Sequence, residues 1–344
     1  MTLKIAINGF GRIGRGVLRA LIERGDTDID VVAINDLAPA ENIAHLLKYD
    51  SVHGRVGAKV WVDTQQNILH VGARSIRLTA IRNPEDLPWA DVDVAYECTG
   101  LFTGRAAAAR HLANGSKRVL ISAPGKDADR TVVYGVNHMD LTAEDAIVSN
   151  ASCTTNCLAP VAMVLDRAFG VQTGYMTTIH AFTGDQPSHD SNHKDLYRAR
   201  AASLSMVPTS TGAARAISLV LPQLEGKLEG SAVRVPTANV SMVDLCFVPL
   251  RPATPAAVNA AIAEAAQGAL AGVLSYEEDP LVSVDFNHDP HSSCFAAKQT
   301  AVTQGGMVRV VSWYDNEWGF SNRMLDTGAY MGRLMRQTPM QIAS

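Results

Sequence analysis

The sequence predicts an α/β protein in two parts: an N-terminal doubly wound parallel sheet, then an α+β domain on a mostly antiparallel sheet. Three observations carry this expectation. The first half alternates short apolar strands with amphipathic helices. The second half holds longer β-rich runs with few helices between them. The length, 344 residues, is about twice that of a typical domain.

Taken in order, Lys4–Asn8 reads as a strand, Gly9–Gly14 as a glycine-rich turn and Arg12–Arg24 as a helix. Ile13, Val17 and Leu21 recur every four residues on one face of that helix, and Gly25 is placed to end it. Asp30–Asn35 is the next strand, with Asp36 at its C-terminal end. Val92–Glu97, Arg118–Ser122 and Ile147–Ser149 continue the alternation. Beyond residue 150 the pattern changes. Gly174–Ala181, Ser231–Val235, Asn239–Pro249 and Met307–Tyr314 are β-rich, and Thr254–Leu270 is an alanine-rich helix. The tail from Gly319 reads as a final helix. The expected division is therefore 1–150 and 151–318, with a helix over 319–344 packing back on the first domain.

Composition narrows the function. Apolar residues make up 47% and charged residues 19%, a balance for compact folding rather than disorder. A net charge of −4 provides no electrostatic reason for a nucleic-acid partner. No apolar run reaches the roughly 18 residues needed to cross a bilayer. The start, MTLKIAINGFG, reads as strand and turn rather than as a signal peptide. Cys98, Cys153, Cys157, Cys246 and Cys294 are too few and too scattered for a disulfide framework, so a reducing cytoplasm is expected. No ligand set for a metal stands out. His288 and His291 fall in DFNHDPH, which reads as a polar, solvated loop.

Gly9, Gly11 and Gly14 form a G-x-G-x-x-G that follows a strand and opens a helix. Gly9 permits the tight turn, Gly11 lets a pyrophosphate approach the backbone, and Gly14 allows close helix–sheet packing. The helix N-terminus offers N–H groups and a positive dipole end to phosphates. Asp36 lies 22 residues after Gly14. A carboxylate there can accept from both ribose hydroxyls and repels a 2′-phosphate, so NAD is expected rather than NADP.

SNASCTTNC, Ser149–Cys157, follows a strand and precedes an apolar helix. Cys153 then falls in the first helical turn, where the dipole and N–H groups favour a thiolate, lower its pKa and can form an oxyanion hole. Its neighbours Ser152, Thr154 and Thr155 are polar, whereas Cys157 and Cys246 sit among apolar residues and read as structural. A thiol nucleophile needs a base. Of ten histidines, His180 leads, because it ends the apolar strand Tyr175–Ile179 and opens the polar segment AFTGDQ.

INGFGRIGR, SNASCTTNCLAP, HAFTGDQ, STGAARA, RVPTANVS and WYDNEWGFSNR, in that order, resemble the glyceraldehyde-3-phosphate dehydrogenase family over almost the whole chain. The resemblance implies a homotetramer with a Rossmann-type domain and an α+β catalytic domain. It implies that Cys153 is the nucleophile and His180 its base. Arg12, Ile13, Asp36, Arg82, Ser122 and Asn316 match positions that hold NAD. Thr183 and Arg234 match the site of the substrate's phosphate, and Ser152, Thr154, Arg198, Thr211 and Gly212 the surroundings of inorganic phosphate. The implied reaction is the oxidative phosphorylation of glyceraldehyde 3-phosphate to 1,3-bisphosphoglycerate. Two alternatives stand beside it: the sister erythrose-4-phosphate dehydrogenases, and a catalytically silent paralogue with a binding role. Thr211 and Gly212 favour the phosphate-dependent enzyme over the sister group. Phe320 stands where many members carry Tyr, and Ser191 and Asn192 where NAD-strict members often carry Leu and Pro.

Overall fold

The computed structural model describes residues 2–337. The chain divides into two compact units. One comprises residues up to Tyr134, His138–Ala151 and the described residues from Ser321. The other comprises Gly135–Asn137 and Ser152–Phe320.

The first unit is built on a nine-stranded sheet. Its order is Arg130–Thr131, Ile147–Ser149, Arg118–Ile121, Val94–Glu97, Leu3–Asn8, Ile29–Asn35, Arg74–Thr79, Ile68–Val71, Val60–Asp63. Pairing is parallel from Arg130–Thr131 through Arg74–Thr79. The last two strands add an antiparallel meander at one edge. That meander escapes the sequence reading: its strands are four to six residues long and joined by turns too short to separate them by periodicity. The strands are apolar because both faces are covered, and Ile5, Ile7 and Ile34 are fully buried. The helix Arg12–Arg24 lays Val17, Leu18 and Leu21 into this core and ends at Gly25, whose φ of 66° is the left-handed cap expected there.

The second unit carries an eight-stranded, mostly antiparallel sheet. At its heart is Val171–Ala181, paired in parallel with Leu228–Val235 and antiparallel with Ser241–Pro249. Ser241–Pro249 in turn pairs with Val308–Tyr314. The helix Cys153–Phe169 packs on this sheet and against the helix Pro255–Gln267. It continues through Pro160 without a break. The last helix, Trp318–Gln337, places Met324 within reach of Tyr96, whose hydroxyl donates to the Met324 carbonyl at 3.1 Å. The expected stretch 338–344 lies outside the described residues. No described helix is long and apolar enough to cross a membrane.

Two glycines of the opening turn answer to packing. A Cβ on Gly14 would collide with the Gly9 carbonyl oxygen, and one on Gly9 would lie 2.7 Å from the Thr99 nitrogen. Neither neighbour is a flexible side chain, so neither can yield. Gly14→Ala should therefore cost about 1–3 kcal/mol, the usual range for overpacking. Gly57→Ala, whose Cβ meets nothing, should stay within about 0.5 kcal/mol of wild type. Urea unfolding of the two variants checks this, and equal midpoints would contradict it.

Candidate active site

The sequence-derived residues gather at two places, one in each unit. In the first, a cleft of about 550 Å³ is lined by Asn8, Gly9, Gly11, Asn35, Asp36, Arg82 and Thr99, among others. That volume suits a cofactor-sized ligand. It lies at the C-terminal ends of parallel strands, beside the point where the chain turns to opposite sides of Leu3–Asn8. No side chain caps the helix that starts after Gly11, and a Cβ on Gly11 would point into open space. Internal packing thus does not call for glycine at position 11, which leaves its backbone open toward the cleft. The Asp36 carboxylate accepts from the Phe10 N–H at 2.7 Å and the Ala38 N–H at 2.9 Å, so it is held against the glycine-rich turn. Gly14, Ile13 and Ser122 are not among the cleft residues. Gly14 packs beneath the turn, and the Ser122 N–H donates to the Glu97 carbonyl at 3.0 Å. The Arg12 guanidinium pairs with Asp50 at 2.5 Å. Burial works against the Asp50 carboxylate, but the His53 and Val52 N–H groups and Arg12 outweigh it and hold its pKa well below the usual range.

In the second unit, Cys153 opens the helix Cys153–Phe169. Ser152 is the N-cap, its hydroxyl accepting from the Thr155 N–H at 3.0 Å. The Cys153 Sγ lies 3.5 Å from His180 Nε2. His180 Nδ1 lies 2.7 Å from the Ala181 carbonyl, which can only accept, so Nδ1 carries the proton and Nε2 turns its lone pair to the thiol. One nitrogen of Arg234, Nη1, donates to the same carbonyl at 2.9 Å and to the Thr183 hydroxyl at 2.9 Å. Those two bonds use both its hydrogens, so its 3.1 Å contact with Nδ1 is proximity rather than a third bond.

Burial pushes the Cys153 thiol up, against the opposing pull of Arg234 and Thr154. This differs from the expected depressed thiol pKa: the helix start does favour the thiolate, but the partial burial of the sulfur favours neutrality more. Burial, and then Arg234, hold His180 down to about 3. The resting pair is thiol and neutral imidazole, the form in which a base can still take a proton.

The other expected residues are present but engaged. Thr154 turns its hydroxyl to Tyr314 at 2.9 Å, which also meets Thr178 at 2.9 Å and packs edge-on against His180. Arg198 pairs with Asp185 at 2.8 Å and donates to Thr209 at 3.0 Å. Asp185 also takes the Thr183 hydroxyl. Thr211 accepts from the Ala213 N–H at 3.1 Å, just after Gly212 and at the start of a short helix that packs on the Cys153 helix. Thr183 and Arg234 are thus joined directly, whereas the hydroxyls of Ser152, Thr154 and Thr211 each serve local partners. Asn316 is buried, and its carbonyl oxygen accepts from Ser241 at 2.7 Å, which leaves the amide N–H₂ as its donor face. Ser241 also accepts the Ala181 N–H at 3.0 Å. Sequence reasoning missed Ser241 and Tyr314. Only the pairing of Ser241–Pro249 with its neighbours could have pointed to them.

The segment around His288 is more ordered than a solvated loop. His288 stacks on Trp318 with ring centroids 3.6 Å apart, and its N–H donates to Asp315 at 2.7 Å. His291 pairs with Asp289 at 2.8 Å, and the ligand atoms of these two and of Cys294 lie within 4.8 Å of one another.

A dinucleotide-sized cleft over a glycine-rich turn, with a separate α/β unit holding a partly buried cysteine against a buried histidine, defines a nucleotide-dependent enzyme that works through a thiol. The family comparison agrees. Residues 3–105 match the family model for the NAD binding domain of glyceraldehyde 3-phosphate dehydrogenase, and residues 152–316 match that for its C-terminal domain. The chain is 64% identical over 340 residues to glyceraldehyde-3-phosphate dehydrogenase of Cereibacter sphaeroides, covering 97% of this chain and 100% of that one. It is 61% identical over 336 residues to that of Xanthobacter flavus, with 97% and 100% covered. It is 55% identical over 339 residues to that of Zymomonas mobilis, again with 97% and 100% covered. The chain belongs to the glyceraldehyde-3-phosphate dehydrogenase family, an NAD-dependent oxidoreductase family.

Thiol chemistry offers a direct check. Burial pushes Cys98 and Cys157 up to about 12, and Cys294 well above its ordinary value. Burial raises Cys246 too, whereas Cys153 faces the lone pair of an imidazole at 3.5 Å, so iodoacetamide should label Cys153 first. Because the thiolate appears only as pH rises through the thiol pKa, Arg234→Leu should move the midpoint of the labelling rate to higher pH. His180→Asn should slow labelling near neutrality. Peptide mapping after timed labelling reads both effects, and faster reaction at Cys98 or Cys157 would refute the assignment.

Proposed function

We propose that this chain oxidises D-glyceraldehyde 3-phosphate and couples the oxidation to the uptake of inorganic phosphate, with NAD as cofactor, yielding 1,3-bisphosphoglycerate. The observation that supports it most is the 3.5 Å approach of the Cys153 sulfur to an unprotonated His180 Nε2, in a chain of this family. As the thiol attacks the aldehyde carbon, its proton passes to Nε2 and from there to the carbonyl oxygen, so the new S–C bond yields a thiohemiacetal and a neutral imidazole. The Cys153 and Thr154 N–H groups at the start of that helix would face the developing oxyanion. His180, neutral again, then takes the hydroxyl proton as the C–H bond breaks. NAD, when bound, supplies the hydride acceptor that leaves a thioester on Cys153. Phosphate attack on that thioester forms the acyl phosphate, and the sulfur leaves as the thiolate to regain its proton from His180.

Gly9, Gly11, Arg12, Ile13, Gly14, Asp36, Arg82 and Ser122 would hold the dinucleotide, and Asn316 would donate to its carboxamide. The Arg234–Thr183 pair would take the substrate's phosphate. Ser152, Thr154, Arg198, Thr211 and Gly212 would surround the attacking phosphate. Arg198 and Thr183 share Asp185, so an arriving dianion has to displace a carboxylate from a guanidinium, an exchange of one charge-assisted bond for another. We further propose a homotetramer in a reducing cytoplasm. Leu196, Tyr197, Leu204 and Met206, more than half exposed within one segment, favour association between copies.

NADH formation should require phosphate or its mimic arsenate, and glyceraldehyde 3-phosphate should outpace erythrose 4-phosphate. Thr211→Ala should raise the KM for phosphate about tenfold, the worth of a hydrogen bond to a charged group, with little change for the aldehyde. Arg198→Ala should disturb both, through Asp185. Sustained turnover without either anion, or preference for the four-carbon sugar, would defeat the reading.

NAD should be preferred over NADP, and Asp36→Ala should narrow the gap by removing a like-charge contact with the 2′-phosphate. Ser191 and Asn192 leave room for modest NADP use. The kcat/KM ratio for the two cofactors is the measurement, and an unchanged ratio in the variant would count against Asp36.

A further inference from the structure

We infer that Glu97, a buried carboxylate the reaction does not use, is a positioning residue for the dinucleotide, because it is the acceptor that closes a hydrogen-bonded ladder of two asparagines across the lip of the cleft. The inference rests on reading that cleft as the dinucleotide site.

Four adjacent parallel strands end in polar residues at one register level. Thr79 pairs with Asn35, Asn35 with Asn8, and Asn8 with Glu97. Their side chains are linked in one direction. The Thr79 hydroxyl donates to Asn35 Oδ1 at 2.8 Å, Asn35 Nδ2 donates to Asn8 Oδ1 at 2.8 Å, and Asn8 Nδ2 donates to Glu97 Oε2 at 2.7 Å. Asn8, Asn35 and Glu97 are all at most 4% exposed. On the far side His111, fully buried and stacked on Trp89, meets the same carboxylate oxygen through Nε2 at 2.9 Å.

The direction of this chain is fixed at both ends. At one end the Glu97 oxygens accept from Asn8 Nδ2 and the Thr99 N–H, so Asn8 presents its N–H₂ to Glu97 and its carbonyl to Asn35. Asn35 must then present its own N–H₂ to Asn8 and its carbonyl to Thr79. That same carbonyl accepts the Ile81 N–H at 2.9 Å, and Asn35 Nδ2 also reaches the Ile81 carbonyl at 2.8 Å. At the other end the Ile81 main chain thus fixes the same sense, and the ladder joins the turn that carries Arg82 to the Glu97 acceptor three strands away. The other carboxylate oxygen, Oε1, accepts the Thr99 N–H at 2.8 Å, and Thr99 is the residue against which Gly9 packs. One side chain therefore contacts the seat of the glycine-rich turn and closes the ladder that reaches the turn bearing Arg82. In a dry site such a network is well defined only when every member is satisfied in one sense.

Glu97→Gln tests this on the full chain. Ile81 keeps Asn8 facing as before, so a glutamine has to turn its N–H₂ toward either Asn8 Nδ2 or the Thr99 N–H, a donor against a donor in a buried network. NAD affinity, titrated by tryptophan fluorescence, should fall about tenfold or more, as expected when bonds to a charged group are lost. The double variant Glu97→Gln/Asn8→Asp moves the acceptor-only group one strand along the ladder. The introduced glutamine can then donate to position 8, and Asn35 again faces a carboxylate, so affinity should return to within about threefold of wild type. Cys153 labelling without cofactor should be alike in all three proteins, which a general loss of structure would not allow. A single variant that binds as wild type, or a double variant no better than the single, overturns the proposal. If the single variant does not fold, folding is the readout, and a double variant that also fails overturns it. A wild-type protein that does not bind NAD overturns the dinucleotide reading itself and the positioning role with it.

Discussion

The arrangement in the second unit depends on one register. His180 and Arg234 are Cα partners in the parallel pair Val171–Ala181 and Leu228–Val235. That pairing brings imidazole and guanidinium to the same carbonyl, Ala181, and so decides the tautomer that faces Cys153. A slip of one residue would turn every side chain of one strand to the other face and separate them. The register is secured because Val171–Ala181 is paired on both sides, with Met176 and Thr178 buried against neighbouring elements. Catalytic geometry and sheet stability are therefore one constraint.

Electrostatics within this frame is divided between neutral and charged groups. Cys153 and His180 are kept neutral by burial, while Arg234, whose pKa burial lowers, stays charged beside Asp185 and Thr183. A low-dielectric site makes each uncompensated charge costly, and the resting protein pairs its arginines and hydroxyls here with groups of its own. Arg198 is held by Asp185, Arg234 by Thr183, and Thr154 by Tyr314. Under the proposed function, substrate recognition is an exchange of partners rather than the filling of bare charges, which tempers affinity and sharpens the demand for a dianion.

The first unit solves a related problem without charge exchange. Its cleft needs backbone close to the ligand, so the floor must be rigid where side chains are absent. Gly9 and Gly14 give up their Cβ atoms to packing, and Gly11 leaves open space toward the ligand. The polar ladder from Thr79 to Glu97 supplies the rigidity that glycines cannot.

Local pattern was enough for much of this. The helix bounded by Gly11 and Gly25, and the strands Ile147–Ser149 and Arg118–Ile121, were legible because period and punctuation agree there. So was the place of Cys153 at the start of a helix, since a cysteine among hydroxyl residues at a strand-to-helix turn stands out within a few residues. The meander Val60–Thr79 was not, because short strands with two-residue periodicity and polar turns resemble loops until they are paired. Nor were Tyr314, Ser241 and the Glu97–His111 pair, each of which acquires its role from a partner 14 to 160 residues away. Which nitrogen of His180 carries the proton, and whether the Cys153 thiol is raised or lowered, also lay beyond local pattern. Both depend on burial and on distances between chain-remote groups, and tertiary packing alone determines those.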